Sequence, residues 1–158
     1  MLVPLAWTFV VAAHLGVVAV RTLFIAHVVM STLLALFAVT GRSDMRHGTL
    51  LVWWRLIVVG LLVTLCGTAG FLLEPVADPL QAIALFGWMA LPAVGFIDTG
   101  RRVPNGAWIY LGGAAACGLG AVAYAIGVTA ATDPIAVAGL VAVGLGQTAG
   151  ILDAAIRY

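Results

Sequence analysis

The sequence predicts an all-α, polytopic integral membrane protein, and three observations lead there. Of 158 residues, 64% are apolar and only 8% are charged. The mean hydropathy is +1.19. The charges fall in short gaps between apolar stretches, and basic gaps alternate with acidic ones. A soluble fold of this size has too little interior to hide so much apolar surface, whereas lipid solvates that surface directly. Unpaired backbone groups find no partner in hydrocarbon, so the spanning segments are read as helices.

A hydrocarbon core about 30 Å thick takes about 20 helical residues. Four apolar runs match that size: Leu50 to Leu73, Pro79 to Ile97, Ala107 to Ala130 and Pro134 to Ile156. The stretch from Leu2 to Gly41 is longer, interrupted only by His14, Arg21, Thr22 and His27. As one straight helix it would measure about 58 Å, nearly twice the core thickness. It is therefore expected to fold back around Ala19 to Leu23, with Arg21 in an outer loop. That gives six transmembrane helices in a single membrane domain, as hairpins at about 1–43, 50–98 and 107–156. Without the turn, the reading becomes five helices plus a surface helix.

Charge assigns the sides. The gap with Arg42, Asp44, Arg46 and His47, the gap with Arg101 and Arg102, and the C-terminus with Arg157 are basic on balance. Segments 41–49 and 98–106 and the C-terminus are therefore expected to be cytoplasmic. The gap from Glu74 to Asp78 and the turn at Asp133 carry only acids, as the opposite face should. Trp53, Trp54, Trp108, Tyr110 and Tyr158 then fall near the inner interface, where amphipathic rings prefer to lie. Asp78-Pro79 and Asp133-Pro134 read as N-cap acceptors followed by a proline at the first helical position. Pro92 lies inside its span and should bend it.

Sliding the chain by about 55 residues superimposes its rare residues without a gap, the mark of an internal repeat. Arg46 meets Arg101, Trp53 meets Trp108, Asp78-Pro79 meets Asp133-Pro134, Gly95 meets Gly150, Asp98 meets Asp153 and Arg102 meets Arg157. Both copies run in the same sense, so the repeat is parallel, unlike the inverted halves of many transporters. The first forty residues form a degenerate third copy in this frame.

Composition removes several functions. All seven basic side chains are arginine. Without lysine, Schiff-base chemistry and a phosphate-loop lysine are excluded. Zincin, nucleophile-elbow and dinucleotide motifs are missing, and no span holds paired carboxylates. The loops are too short for a catalytic domain, and nothing points to nucleic acid. The N-terminus lacks a basic leader and a cleavage site, so the first helix is expected to stay in the protein. Cys66 and Cys117 fall at depths differing by about 9 Å, so they are read as packing residues without a disulfide.

Few polar residues remain. Gly112, Ala116 and Gly120 form a small-residue stripe, and Gly146 with Gly150 makes a GxxxG; both suit close helix packing, within the bundle or between copies. Asp98 with Arg102 and Asp153 with Arg157 are i,i+4 ion pairs at inner helix ends. Arg55 lies about 8 Å inside its helix and can snorkel. Gln147 stands near mid-span, where an amide seeks a partner helix or contacts a solute. His14 and His27 are nearly equidistant from a turn at Arg21. On adjacent antiparallel helices they would offer a facing imidazole pair for haem b, provided the hairpin splays, because helices packed 8–10 Å apart leave no room for a porphyrin. His47 sits in the inner loop and cannot join them. The functional expectation is a non-enzymatic accessory or packing subunit in contact with lipid and with other membrane subunits or copies of itself. The alternatives are a haem b electron carrier through His14 and His27, and a channel or carrier for a small neutral or apolar solute.

Overall fold

The computed structural model describes residues 2–73, 76 and 78–157. It contains six helices: α1 (Leu2–His14), α2 (Val20–Thr40), α3 (Gly48–Gly70), α4 (Asp78–Arg102), α5 (Ala107–Thr129) and α6 (Asp133–Arg157). No strand occurs among the described residues. Helices α2 to α6, of 21 to 25 residues, are long and apolar enough to cross a membrane. The polytopic helical reading is met. Helix α1 has only 13 residues, about 20 Å against a core of about 30 Å, so among the described residues five helices are long enough to span and α1 is a shorter sixth. Glu74 and Tyr158, assigned above to an outer gap and the inner interface, lie outside the described residues.

The break in the N-terminal stretch comes earlier than the repeat frame places it. Helix α1 ends at His14, and Gly16 takes φ 70°. The Gly16 N–H bonds to the Ala13 carbonyl and the Val17 N–H to the Ala12 carbonyl, the paired bonds of a Schellman closure with glycine at its left-handed position. Arg21 is therefore not in a loop but in the first turn of α2, exposed. A glycine two residues past the helix end suffices to stop α1, and the periodicity around Arg21 hides it.

The chain divides into two compact units, Met1–Val17 with Pro92–Tyr158, and Val18–Leu91. The division falls at Pro92 inside α4. Helices α4 and α6 begin at Asp-Pro and have equal length. Helix α5, by contrast, starts four residues later than the 55-residue shift of α3 would place it.

In the first unit α5 and α6 pack antiparallel with their backbones almost touching. A Cβ on Gly120 would stand 2.6 Å from the Gly139 carbonyl oxygen, one on Gly113 2.8 Å from that of Gly146, and one on Gly127 would collide with Ala136. Gly113, Gly120 and Gly127 recur every seven residues, as do Gly139 and Gly146, the period that keeps one seam facing its partner along two helices. This corrects the stripe chosen from sequence. Gly112 faces open space, with nothing within 4 Å of its Cβ position, and its neighbour Gly113 carries the seam. Gly146 and Gly150 also separate: the first meets Gly113 and Ala116 of α5, the second the Phe96 ring of α4. Tyr110 is 1% exposed and packs on Phe96 with ring centroids 6.2 Å apart. Helix α1 docks along α6 through Trp7, whose Cβ would lie 2.9 Å from a Cβ on Gly144.

In the second unit α3 is the common partner. Trp54 Nε1–H donates to the Ala38 carbonyl of α2 at 2.9 Å. Trp88 of α4 fits over Gly60, Val63 against Gly87, and Ala84 with His27 closes on Gly67.

Helix starts shift slightly from expectation. The Thr132 carbonyl accepts from the Ala136 N–H, which makes Thr132 the N-cap and places Asp133 and Pro134 one position further into the helix. Asp78 and Asp133 lie in the first turns of their helices, where a carboxylate still meets the positive end of the helix dipole.

Candidate functional site

Among the described residues the candidates for chemistry are polar side chains inside apolar helices, and in the first unit Gln147 of α6 stands near mid-span. Gln147 is 5% exposed, and its Oε1 accepts the Trp7 Nε1–H at 3.0 Å. The Cys117 thiol also hydrogen-bonds Gln147. A mid-span amide with partners on two neighbouring helices acts as glue between α1, α5 and α6. Beside it lies a groove of about 180 Å³, lined by Trp7, Thr8, Val11, Gly144 and Thr148 among others.

His14, the last residue of α1, meets the α5–α6 turn. Its Nδ1 lies 3.4 Å from the Tyr124 hydroxyl, and the two rings sit edge-on at 5.4 Å. Its Nε2 is buried without a hydrogen bond, 3.8 Å from Asp133 Oδ1. That separation is an ionic approach and not a hydrogen bond.

His27 belongs to the second unit, seven residues into α2 from Val20. Its Nδ1 donates to the Leu23 carbonyl at 3.0 Å, because a carbonyl only accepts. The ring packs edge-on against Phe71 at 5.0 Å and closes on Gly67. His14 thus ends a helix while His27 stands two turns into the next, so they are not equidistant from the break. Each has its own neighbours in its own unit.

At the other end of the first unit, Arg102 Nε donates to Asp98 Oδ1 at 2.9 Å and Arg157 Nε to Asp153 Oδ1 at 2.6 Å. Asp98 and Asp153 each keep a buried second oxygen without a hydrogen bond. Asp153 Oδ2 is 3.3 Å from where a Cβ on Gly106 would stand, at the N-cap of α5. This puts a negative charge against the positive end of that helix. A groove of about 530 Å³ opens between α5 and α6 here, walled by Trp108, Ile109, Leu152 and Ile156 over Gly112 and Gly146.

The second unit holds a polar seam that the sequence reading missed. Trp88 Nε1–H donates to Thr64 Oγ1 at 2.9 Å, Ser31 Oγ and Thr68 Oγ1 lie 3.4 Å apart, and Gln81 Nε2 donates to the Gly67 carbonyl at 2.8 Å. Thr64 and Thr68 also bond back to carbonyls four residues earlier. Thr64-Gly67-Thr68 at helical spacing, opposite Ser31, is the signal that could have found it. Among the described residues no group of three or more His, Cys, Asp or Glu could hold a metal ion, and Cys66 and Cys117 are free thiols.

Compared with protein-family models, curated proteins and solved structures, the chain matches none. The all-helical architecture and its apolar spans are therefore the conclusion at this level: a multi-pass membrane protein in contact with the lipid bilayer.

Proposed function

We propose that the chain is a non-enzymatic accessory or packing subunit of a membrane assembly, with segments 41–49 and 98–106 and the C-terminus on the cytoplasmic face. The observation that carries this reading is the use made of intramembrane polar side chains. Gln147, Trp7, Ser31, Thr64, Thr68, Gln81 and Trp88 are engaged with neighbouring helices or backbone carbonyls, while the outer wall is apolar, with Leu62, Leu119 and Leu145 more than half exposed. Intramembrane pathways are lined by polar groups that face a cavity. Gln147, on which a solute carrier would depend, is already held by Trp7. Mild-detergent extracts should carry the chain in a particle much larger than its 16.3 kDa, and deleting its gene should lower the amount of the other components. A stable lone monomer that conducts a solute in liposomes would contradict the reading.

A second reading, a haem b electron carrier using His14 and His27, draws on one observation. In both rings Nδ1 is the nitrogen in hydrogen-bonding contact, and Nε2 of His14 has no hydrogen bond; a ligating imidazole commonly has its other nitrogen tied in this way. A Soret band in protein purified with haem in excess, lost in both His14→Ala and His27→Ala, is the expected result. A colourless preparation ends it.

A further inference from the structure

Two arginines at helix ends in the first unit, Arg102 and Arg157, pair with an acid four residues before them, Asp98 and Asp153. Arg55 has none. It stands seven residues into α3 from Gly48, about 10 Å along the axis; Leu51 precedes it by a turn, Val59 follows by a turn, and α3 contains no Asp or Glu. The side chain is exposed. Side chains on a helix lean toward its N-terminus, which in α3 is the end joined to the turn of residues 41–47.

That turn supplies two more guanidiniums. Arg42 is held with its Cζ 5.8 Å from the centroid of the Trp54 ring, and Trp54 is itself fixed by its bond to the Ala38 carbonyl. Trp54 immediately precedes Arg55, so Arg42 is drawn down to the same level of α3. Arg46 is exposed in the turn. The one acid between residues 41 and 55, Asp44, accepts a hydrogen bond from Ser43 at 3.1 Å. Among the described residues none of the three arginines enters an ion pair. Phe37, Val39 and Leu50, all more than half exposed, flank them.

We propose that the α2–α3 turn of the second unit binds an anionic phospholipid, its phosphate held by Arg55, Arg42 and Arg46 and its acyl chains laid against Phe37, Val39 and Leu50. A guanidinium at the edge of the hydrocarbon needs an anion, and the one present at that depth is a lipid phosphate, which the planar fork of arginine fits in bidentate fashion. Three positive charges against one negative favour an anionic headgroup over a zwitterionic one. The proposal goes beyond the accessory-subunit reading and requires only that α2 and α3 lie in a bilayer.

Native mass spectrometry of the full chain, offered equimolar phosphatidylglycerol and phosphatidylcholine of matched acyl length, tests it. Wild type should retain phosphatidylglycerol several-fold over phosphatidylcholine. Arg55→Gln and Arg42→Gln should each bring the two lipids close to equality, Arg55→Lys should keep part of the preference, and Arg21→Gln, at the far end of α2, should keep all of it. Equal retention by wild type, unchanged preference in Arg55→Gln, or equal loss in Arg21→Gln would overturn the site. Circular dichroism of each variant separates loss of lipid from loss of fold.

Discussion

One methyl group divides the glycines of α5 into two kinds. On Gly120 it would press on the Gly139 carbonyl and the Val143 side chain, whereas on Gly112 or Gly118 it would meet nothing within 4 Å. Gly120→Ala should therefore cost about 2 kcal/mol of stability, the range for overpacking a tight site. Gly112→Ala and Gly118→Ala should leave it unchanged or raise it by up to about 1 kcal/mol, because alanine is the better helix former and meets no neighbour there. Denaturant titration of the purified protein in mixed micelles checks both. That small residues would form the helix contact was readable from composition. Which of two adjacent glycines carries it was not, because counting by four from Gly120 selects Gly112, whereas the antiparallel match of Gly113, Gly120 and Gly127 to Gly146, Gly139 and Ala136 needs the partner helix. Gln147 was readable as a residue in search of a partner, but its partner Trp7 is 140 residues away. Gln147→Leu should cost about 1 kcal/mol, the scale of an interhelical hydrogen bond in lipid. Trp7→Ala should cost about 3 kcal/mol or more, because it also empties the notch at Gly144, and should expose α1 to protease.

Among the elements, α3 to α6 were legible to within a few residues because charged or proline-bearing gaps bound them. That α1 and α2 are separate was legible from the length of the run, but the position of the break was not. Gly16 marks it within the apolar stretch between His14 and Arg21, and a 55-residue frame carried back from the later helices moves the turn to Arg21. The same closure recurs after α5 with a less suitable residue: the Thr132 N–H reaches the Gly127 carbonyl while Ala131 takes φ 50°. An alanine there carries a left-handed strain of about 1 kcal/mol. Ala131→Gly should accordingly raise stability by up to about 1 kcal/mol, and Gly16→Ala should lower it by a similar amount. Thermal unfolding followed by circular dichroism would give both signs. Opposite signs would mean that these closures do not define the helix ends.

For the whole molecule, the reading depends on lipid being the solvent of α2 to α6. The proposed sidedness rests on the alternation of basic and acidic gaps along the sequence. Function was less legible, because polar residues in the spans are few and those that the structure describes are mostly occupied in holding helices together. The direct test uses a chain with Cys66 and Cys117 replaced by alanine and one new cysteine at a time, Ser43→Cys, Asn105→Cys or Ala130→Cys, labelled in intact cells with a membrane-impermeant maleimide. The account predicts labelling of Ala130→Cys at once, and of Ser43→Cys and Asn105→Cys only after the membrane is opened. Labelling of all three from one side, or of Ser43→Cys and Asn105→Cys from opposite sides, would contradict it.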